Sequence, residues 1–574
     1  MNPALALAPL VLSSPALLAQ ETVSKGLDCE FQRTDEGDHT SRMLVRLTFP
    51  PDADGVTELG IATDWGGVST GGQDLEAMRV EALSGEALEL VAIGDNRWQV
   101  AWGGAESLVL SYSIGSNDYQ SDPDPATNRR PIVNEQLFHS IGELFLVTPE
   151  HLERGEPRAN SVRWVGFGKD EGLACSFGVG AGPLRFESSL ADLRQSVFLA
   201  GDITVFERDV LGRPLFLAIQ DFDWGFDLDA LADLASSIVD MERGFFDDFD
   251  RPFYLISMIP VGHTDPNSIS FGGTGLTQSF SLAVQPGFDL EFGGEGYERM
   301  THLLTHELFH EWNGRVLDRA APEELCYWFS EGFTEFFTRR LRLRGGLIGL
   351  EEYVSSLNSS LSEYFTSPVR EASNQRIKDD FWSDDFIKDL PYRRGDVVAI
   401  LLDQAIRGTT GGERSLDDLM RELVERGASG WKVSTEEFLE IVEDETSGEV
   451  ARALAEVLLD GGTPHLDPAT FGPCLRMEHV EVPRYDPGFD LQSSFDEGIA
   501  SGVRVDGPAH AAGLRNGDLL VGWRYQSGAT GQPITLQVRA ETGVREVSYL
   551  PTSGGVLAPQ FVVASPEDDS CAAL

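Results

Sequence analysis

The sequence predicts a multidomain α+β protein, on three observations. Its 574 residues exceed what one hydrophobic core supports, since domains usually hold about 100 to 200 residues. Short alternating apolar runs dominate the first third, whereas apolar residues recurring at three and four positions dominate the middle. Short strands then return near residue 478. A content of 41% hydrophobic and 9% aromatic residues belongs to a folded chain.

The elements follow in order. Residues 1–20, "MNPALALAPLVLSSPALLAQ", carry no charge before Glu21 and read as a signal peptide cleaved near Ala19, without the usual basic start. The mature protein is then expected to be secreted or periplasmic. A membrane anchor is the alternative, but Pro9 and Pro15 interrupt a stretch barely long enough to span a bilayer. No later segment is apolar enough to cross one. Over 21–175, "RMLVRLTF", "ESLVLSYSI" and "SVRWVGFG", separated by Gly, Asp and Pro clusters, predict an N-terminal antiparallel β domain. Over 176–345, strands such as "RPLFLAIQDF" and "RPFYLISMIPV" flank a helix-periodic stretch, "DLDALADLASSIVDMERGFFDDF", as in a mixed catalytic lobe. A helical domain is expected over 346–475; its "STEEFLEIVEDET" opens with Ser434 and Glu437 at capping-box spacing. Residues 476–566, around "GIASGVRVDGPAHAAGLRNGDLLVGWR", form a C-terminal module.

Charge and cysteine usage narrow the function classes. A formal net charge of -49 argues against nucleic acid as a partner, because its phosphates would be repelled. The only lysines are Lys25, Lys169, Lys378, Lys388 and Lys432. Cys29, Cys175, Cys326, Cys474 and Cys571 are too few for a disulfide scaffold and match no zinc-finger or redox spacing, which leaves room for one or two bridges after export. The terminal "CAAL" imitates a prenylation box that an exported chain would not use.

The chemistry concentrates in "MTHLLTHELFHEWNG", residues 300–314. Residues four apart on a helix are about 40° apart around its axis, so His306 and His310 project from one face and Glu307 sits beside it. At this chain's composition such an H-E-x-x-H arises by accident about once in a hundred chains, so a third ligand is needed to decide. A catalytic zinc takes three protein ligands and leaves one position for water. "YWFSEGFTEFFTRRL" supplies Glu331, 21 positions after His310, far enough for a loop and a returning helix. Glu335, one turn on, is the competing ligand; as a non-ligand it would accept a hydrogen bond from a histidine ring and orient it.

With these residues read, "HELFHEWNG" followed by "WFSEGFTEFF" resembles the glycyl aminopeptidase family of zinc metallopeptidases, gluzincins whose chains often end in a PDZ domain. Trp312 and Asn313 match the continuation of the family's histidine motif, and Trp328, Glu331, Gly332 and Thr334 match its Trp-x-x-Glu-Gly-x-Thr setting. In "LPYRRGDVVAILLDQAIRG", Tyr392 and Gly395 match the family's tyrosine segment before a helix, with Arg394 where lysine is usual. The resemblance implies a thermolysin-like catalytic domain, a zinc ion held by His306, His310 and Glu331, Glu307 as general base and Tyr392 as a second electrophile. It also implies a PDZ-like domain over 476–566, with "GFDL" (488–491) as carboxylate-binding loop and strand, able to bind a peptide C-terminus or an extended strand.

One departure bears on the substrate. The family carries a Gly-Gly-x-Glu-His segment on the strand edging its cleft; "FGGTGLTQSF" has Gly275 and Leu276 at the Glu and His positions. In related aminopeptidases that glutamate holds the substrate's free amino group. The expected function is therefore an exported zinc metallopeptidase acting on peptides, aminopeptidase-like by resemblance. Endopeptidase action is left open by Gly275, and a non-catalytic peptide-binding protein on the same scaffold is opposed by the presence of Glu307.

Overall fold

The computed structural model describes residues 25–36, 40–65, 72, 74–115, 130–153, 157–249, 252–260, 271–525, 528–540 and 543–574. The expected signal peptide lies outside the described residues. Contacts divide the chain into two units, Met1–Ile203 and Thr204–Leu574.

The first unit is β-rich, with sheets of seven, five and four strands. Its core gathers aromatic rings, the Phe31 centroid lying 5.4 Å from those of Phe145 and Phe198. Two expectations change here. The domain is not purely antiparallel, because Lys25–Glu36 runs parallel to Arg158–Val165 while pairing antiparallel with Thr40–Phe49. It also continues past residue 175, because Gly172–Cys175 pairs with both Gly178–Val179 and Val197–Gly201, and a ladder cannot be cut between paired strands.

In the second unit, whose elements are numbered from its start, β1 (Ile203–Val210), β2 (Arg213–Gln220), α1 (Leu228–Phe245), β3 (Tyr254–Pro260), β4 (Phe271–Leu276) and β5 (Ser279–Val284) come first. The sheet order is β1-β2-β3-β5-β4. β2, β3 and β5 run parallel, and β4 is an antiparallel edge strand. α2 (Glu295–Phe309) buries Met300, Leu304 and Leu308, four residues apart, in one core with Leu217, Met258 and Leu282 of the sheet and Ile238 of α1. That stripe fixes which face of α2 looks away from the sheet.

A helical body follows: α3 (Tyr327–Arg344), α4 (Leu350–Thr366), α5 (Asn374–Asp380), α6 (Asp385–Thr410), α7 (Leu416–Ala428), α8 (Thr435–Glu445) and α9 (Gly448–Asp460). The tyrosine segment does not precede a helix: α6 starts at Asp384, whose carboxylate accepts from the Phe386 and Ile387 amides, and it continues through Pro391 and Tyr392. Ser434 caps α8 by accepting from the Glu437 amide, while the Glu437 carboxylate takes the Trp431 indole N–H. The capping box is thus half built. Among the described residues no helix is long and apolar enough to cross a membrane.

The last segment comprises β6 (Leu475–Tyr485), α10 (Leu491–Glu497), α11 (Pro508–Ala511), β7 (Leu519–Arg524), β8 (Ile534–Ala540), β9 (Gly543–Tyr549) and β10 (Thr552–Val563). β6 pairs with β10, and Leu475, Phe561 and Leu574 join the core of the helical body. Only the part between these strands has a core of its own, around Phe489, Leu514 and Leu536. The strand expected within 488–491 is absent, since Asp490 caps α10 by accepting from the Ser493 amide and Leu491 begins that helix. The short helix expected in "GPAHAAG" is present as α11.

Cys474 and Cys571 form a disulfide with a sequence separation of 97, while Cys29, Cys175 and Cys326 are free and buried. The cysteine of the apparent prenylation box is therefore bridged, and Leu574 is buried with its carbonyl accepting from Arg340 Nε. Replacing both bridged cysteines with serine is expected to lower stability by about 4.7 kcal/mol, the entropy of closing a loop of about 100 residues, measured by denaturant unfolding under non-reducing conditions.

Candidate metal centre

His306 lies on the face of α2 opposite its apolar stripe, and His310 caps the helix with αR dihedrals (φ -64, ψ -14), so the four-residue alignment survives past the last helical hydrogen bond. α3 returns with Glu331. Asn313 joins the two segments, its amide donating to the Phe329 and Ser330 carbonyls and to Thr334 Oγ1. Trp312 stacks on Phe246 at 4.6 Å and donates its indole N–H to Asp248. Two residues of the sequence motif thus have structural tasks.

The three sequence-selected side chains meet. His306 Nε2 and His310 Nε2 are 3.2 Å apart, and Glu331 Oε2 is 3.5 Å from the first and 3.3 Å from the second. Donors at 2.0–2.1 Å from a tetrahedral zinc are about 3.3–3.4 Å apart. Tautomers add to the fit. His310 Nδ1 lies 3.0 Å from the Asn313 carbonyl and His306 Nδ1 lies 3.2 Å from Glu335 Oε1. Both Nδ1 atoms face acceptors, so each ring, once neutral, can keep its proton there and turn an Nε2 lone pair toward the same carboxylate oxygen. Such a triangle of acceptors calls for a cation.

Electrostatics point the same way. Burial alone would push the His306 pKa down and that of Glu331 up. The neighbouring Glu331 and Glu335 carboxylates instead hold His306 well above its usual value, and the two histidines hold Glu331 well below its own. The alternative ligand Glu335 is engaged elsewhere, between His306 Nδ1 and His302 Nε2, the latter at 3.2 Å. Sequence reasoning misses His302, although the four-residue spacing of His302, His306 and His310 is a signal that could find it. The Arg393 guanidinium also approaches Glu335, at 3.7 Å.

Glu307 is half-buried beside the triangle and has no hydrogen-bond partner among the described residues. Tyr392 reaches the site because α3 and α6 cross where neither has a side chain: a Cβ on Gly395 would lie 1.8 Å from the Trp328 carbonyl oxygen, and one on Gly332 would lie 2.3 Å from Gly395 Cα. The Tyr392 ring centroid is 6.1 Å from that of His306. Burial, and then the charges of Glu331, Glu307 and Glu335, push the Tyr392 pKa up, so its hydroxyl keeps its proton and can donate. Arg394 turns away, donating to the Arg370, Ala372 and Leu458 carbonyls.

The edge strand β4 passes alongside. A Cβ on Gly275 would meet only the Glu307 carbonyl oxygen at 3.7 Å and His310 Cβ at 3.9 Å, ordinary contact distances. A Cβ there would clash with nothing among the described residues. At Thr277, just past the strand, the hydroxyl accepts from Arg315 Nη2.

Residues 299–384 match the sequence model of the M61 glycyl aminopeptidase family, a span that includes His306, Glu307, His310, Glu331 and Glu335 and ends before Tyr392. The fold is similar to that of an aminopeptidase N family protein from Idiomarina loihiensis, with a TM-score of 0.72 and 17% identity, covering 95% of this chain and 99% of that one. An M1 zinc metallopeptidase variant from Deinococcus radiodurans bound to a Tyr-Ser-Ala substrate is also similar, at TM-score 0.48 and 16% identity, over 78% of this chain and 97% of that one. The segment that builds the triangle is thus similar to the M61 glycyl aminopeptidases, within a multidomain α+β fold shared with an aminopeptidase N family protein.

Proposed function

We propose that the chain is an exported zinc metallopeptidase that hydrolyses peptide bonds. The observation that supports this most is the triangle of His306 Nε2, His310 Nε2 and Glu331 Oε2, with edges of 3.2 to 3.5 Å, beside a glutamate left without a partner. Those three residues would hold the ion. When bound, zinc lowers the pKa of a coordinated water to about 7 and polarises the substrate carbonyl.

Glu307 takes the proton from the attacking water and passes it to the leaving amine, a role open to a carboxylate with no other partner. The Tyr392 hydroxyl, held protonated, donates to the carbonyl oxygen as negative charge develops on it. The edge strand β4, unpaired on its outer side among the described residues, aligns an extended peptide by main-chain hydrogen bonds. Tyr392→Phe is therefore expected to lower kcat by roughly 10²-fold, the cost of one such donor, with zinc content unchanged by metal analysis. Loss of metal in that variant would make Tyr392 structural.

The similarity favours an aminopeptidase. Gly275 favours a second reading, internal cleavage, because the position where related aminopeptidases hold the free amine has room for a carboxylate and lacks one. The Cys474–Cys571 disulfide supports export, since such bonds persist in oxidising compartments. We read the C-terminal module as PDZ-like and peptide-binding. Digestion of a mixed library of free and N-acetylated peptides by the zinc-loaded chain separates the readings: products cut only at free N-termini support the aminopeptidase, internal cuts support the endopeptidase, and no cut by a chain with one zinc overturns both.

A further inference from the structure

A cavity of about 170 Å³ has Glu363, Phe386, Asp389, Leu390, Arg393 and Tyr485 among its lining residues. Four of these lie on α6, the helix that carries Tyr392. Asp389 is three residues before Tyr392 and four before Arg393, so all three share one face, and Asp389 sits about 4.5 Å along the axis from Tyr392. Arg393 links cavity and centre, with Nε 2.6 Å from Glu363 and Nη1 3.7 Å from Glu335.

The charges in this cavity do not cancel. Arg393 is committed to Glu363 and Glu335. The Asp389 carboxylate, solvent-exposed at the mouth, has no hydrogen bond or ion pair among the described residues. Phe386, Leu390 and Tyr485 supply apolar walls, and the Phe386 and Tyr485 rings are 5.9 Å apart. An exposed carboxylate beside these apolar walls suits a long side chain with an aliphatic stem and a cationic head. A free N-terminal amine is the other source of a cation. It is two bonds, about 2.5 Å, from its own carbonyl carbon, so its anchor must touch the metal centre rather than stand one helical turn away.

We propose that this cavity is a substrate subsite for a lysine or arginine side chain near the scissile bond, with Asp389 as the residue that selects it. This rests on the peptidase reading and names the substrate class that reading leaves open. The test uses the zinc-loaded full chain and peptides that differ only by lysine or norleucine at each position flanking the cleaved bond, each free and N-acetylated. At one position lysine is expected to raise kcat/KM about tenfold or more, the scale of a charge-assisted hydrogen bond, whether or not the N-terminus is blocked. Asp389→Asn should collapse that ratio, and Asp389→Lys should shift the preference to glutamate at the same position. A ratio near one in the unaltered chain, or a ratio that Asp389→Asn leaves intact, overturns the proposal. A lysine effect that vanishes on acetylation assigns the cation to the N-terminus and also overturns it. Calorimetric binding of the same peptide pair to zinc-loaded Glu307→Gln reads the preference without turnover. Equal affinities there defeat the subsite, whereas a chain that binds with lysine preference but hydrolyses nothing defeats the peptidase reading instead.

Discussion

Glu307→Gln is expected to lower kcat by about 10²- to 10⁴-fold, the usual contribution of a general base, while zinc remains at one per chain by metal analysis. The amide keeps the size of the side chain and its place on α2 but cannot accept the water proton. Glu307 is outside the triangle and bonded to nothing else among the described residues, so the change leaves the ligands and the helix packing intact. A fall of less than tenfold would remove Glu307 from the chemistry.

Glu331→Ala is expected to abolish stoichiometric zinc and, with it, turnover, by roughly 10³-fold or more, since water no longer ionises near neutral pH without the ion. Two facing imidazoles remain after this change. Glu335 is a poor substitute, because it lies 3.2 Å from both His306 Nδ1 and His302 Nε2 and withdrawing it would free the ring that must be oriented. Zinc per chain after dialysis against a weak chelator, with the fold followed by circular dichroism, is the measurement. A folded variant that still retains one zinc would show that Glu331 is not a ligand.

Much of the site is legible in the sequence because it is helical. A period of 3.6 residues puts His306 and His310 on one face, and the apolar stripe of Met300, Leu304 and Leu308 gives the opposite face. The N-terminal unit is legible as β-rich from its alternation, but the pairing of Lys25–Glu36 with Arg158–Val165 is not. Strands so far apart in the chain leave no local pattern of their pairing direction. The resemblance puts Tyr392 before a helix, whereas the Asp384 cap starts α6 well upstream and the helix runs through Tyr392. At 488–491 the resemblance implies a loop and strand, and the Asp490 side chain, by capping, starts a helix instead.

Which residues can hold a metal, and which glutamate can act beside them, is written in the chain itself, because those properties follow from side-chain chemistry and helical spacing. Packing places Glu331 Oε2 beside both Nε2 atoms while Glu335 lies against the Nδ1 side of His306, and it brings Tyr392 within reach through the Gly332 and Gly395 crossing. Each of those depends on how separate helices approach one another. Such distances are set by contacts between residues far apart in the chain, and no local run of sequence encodes them.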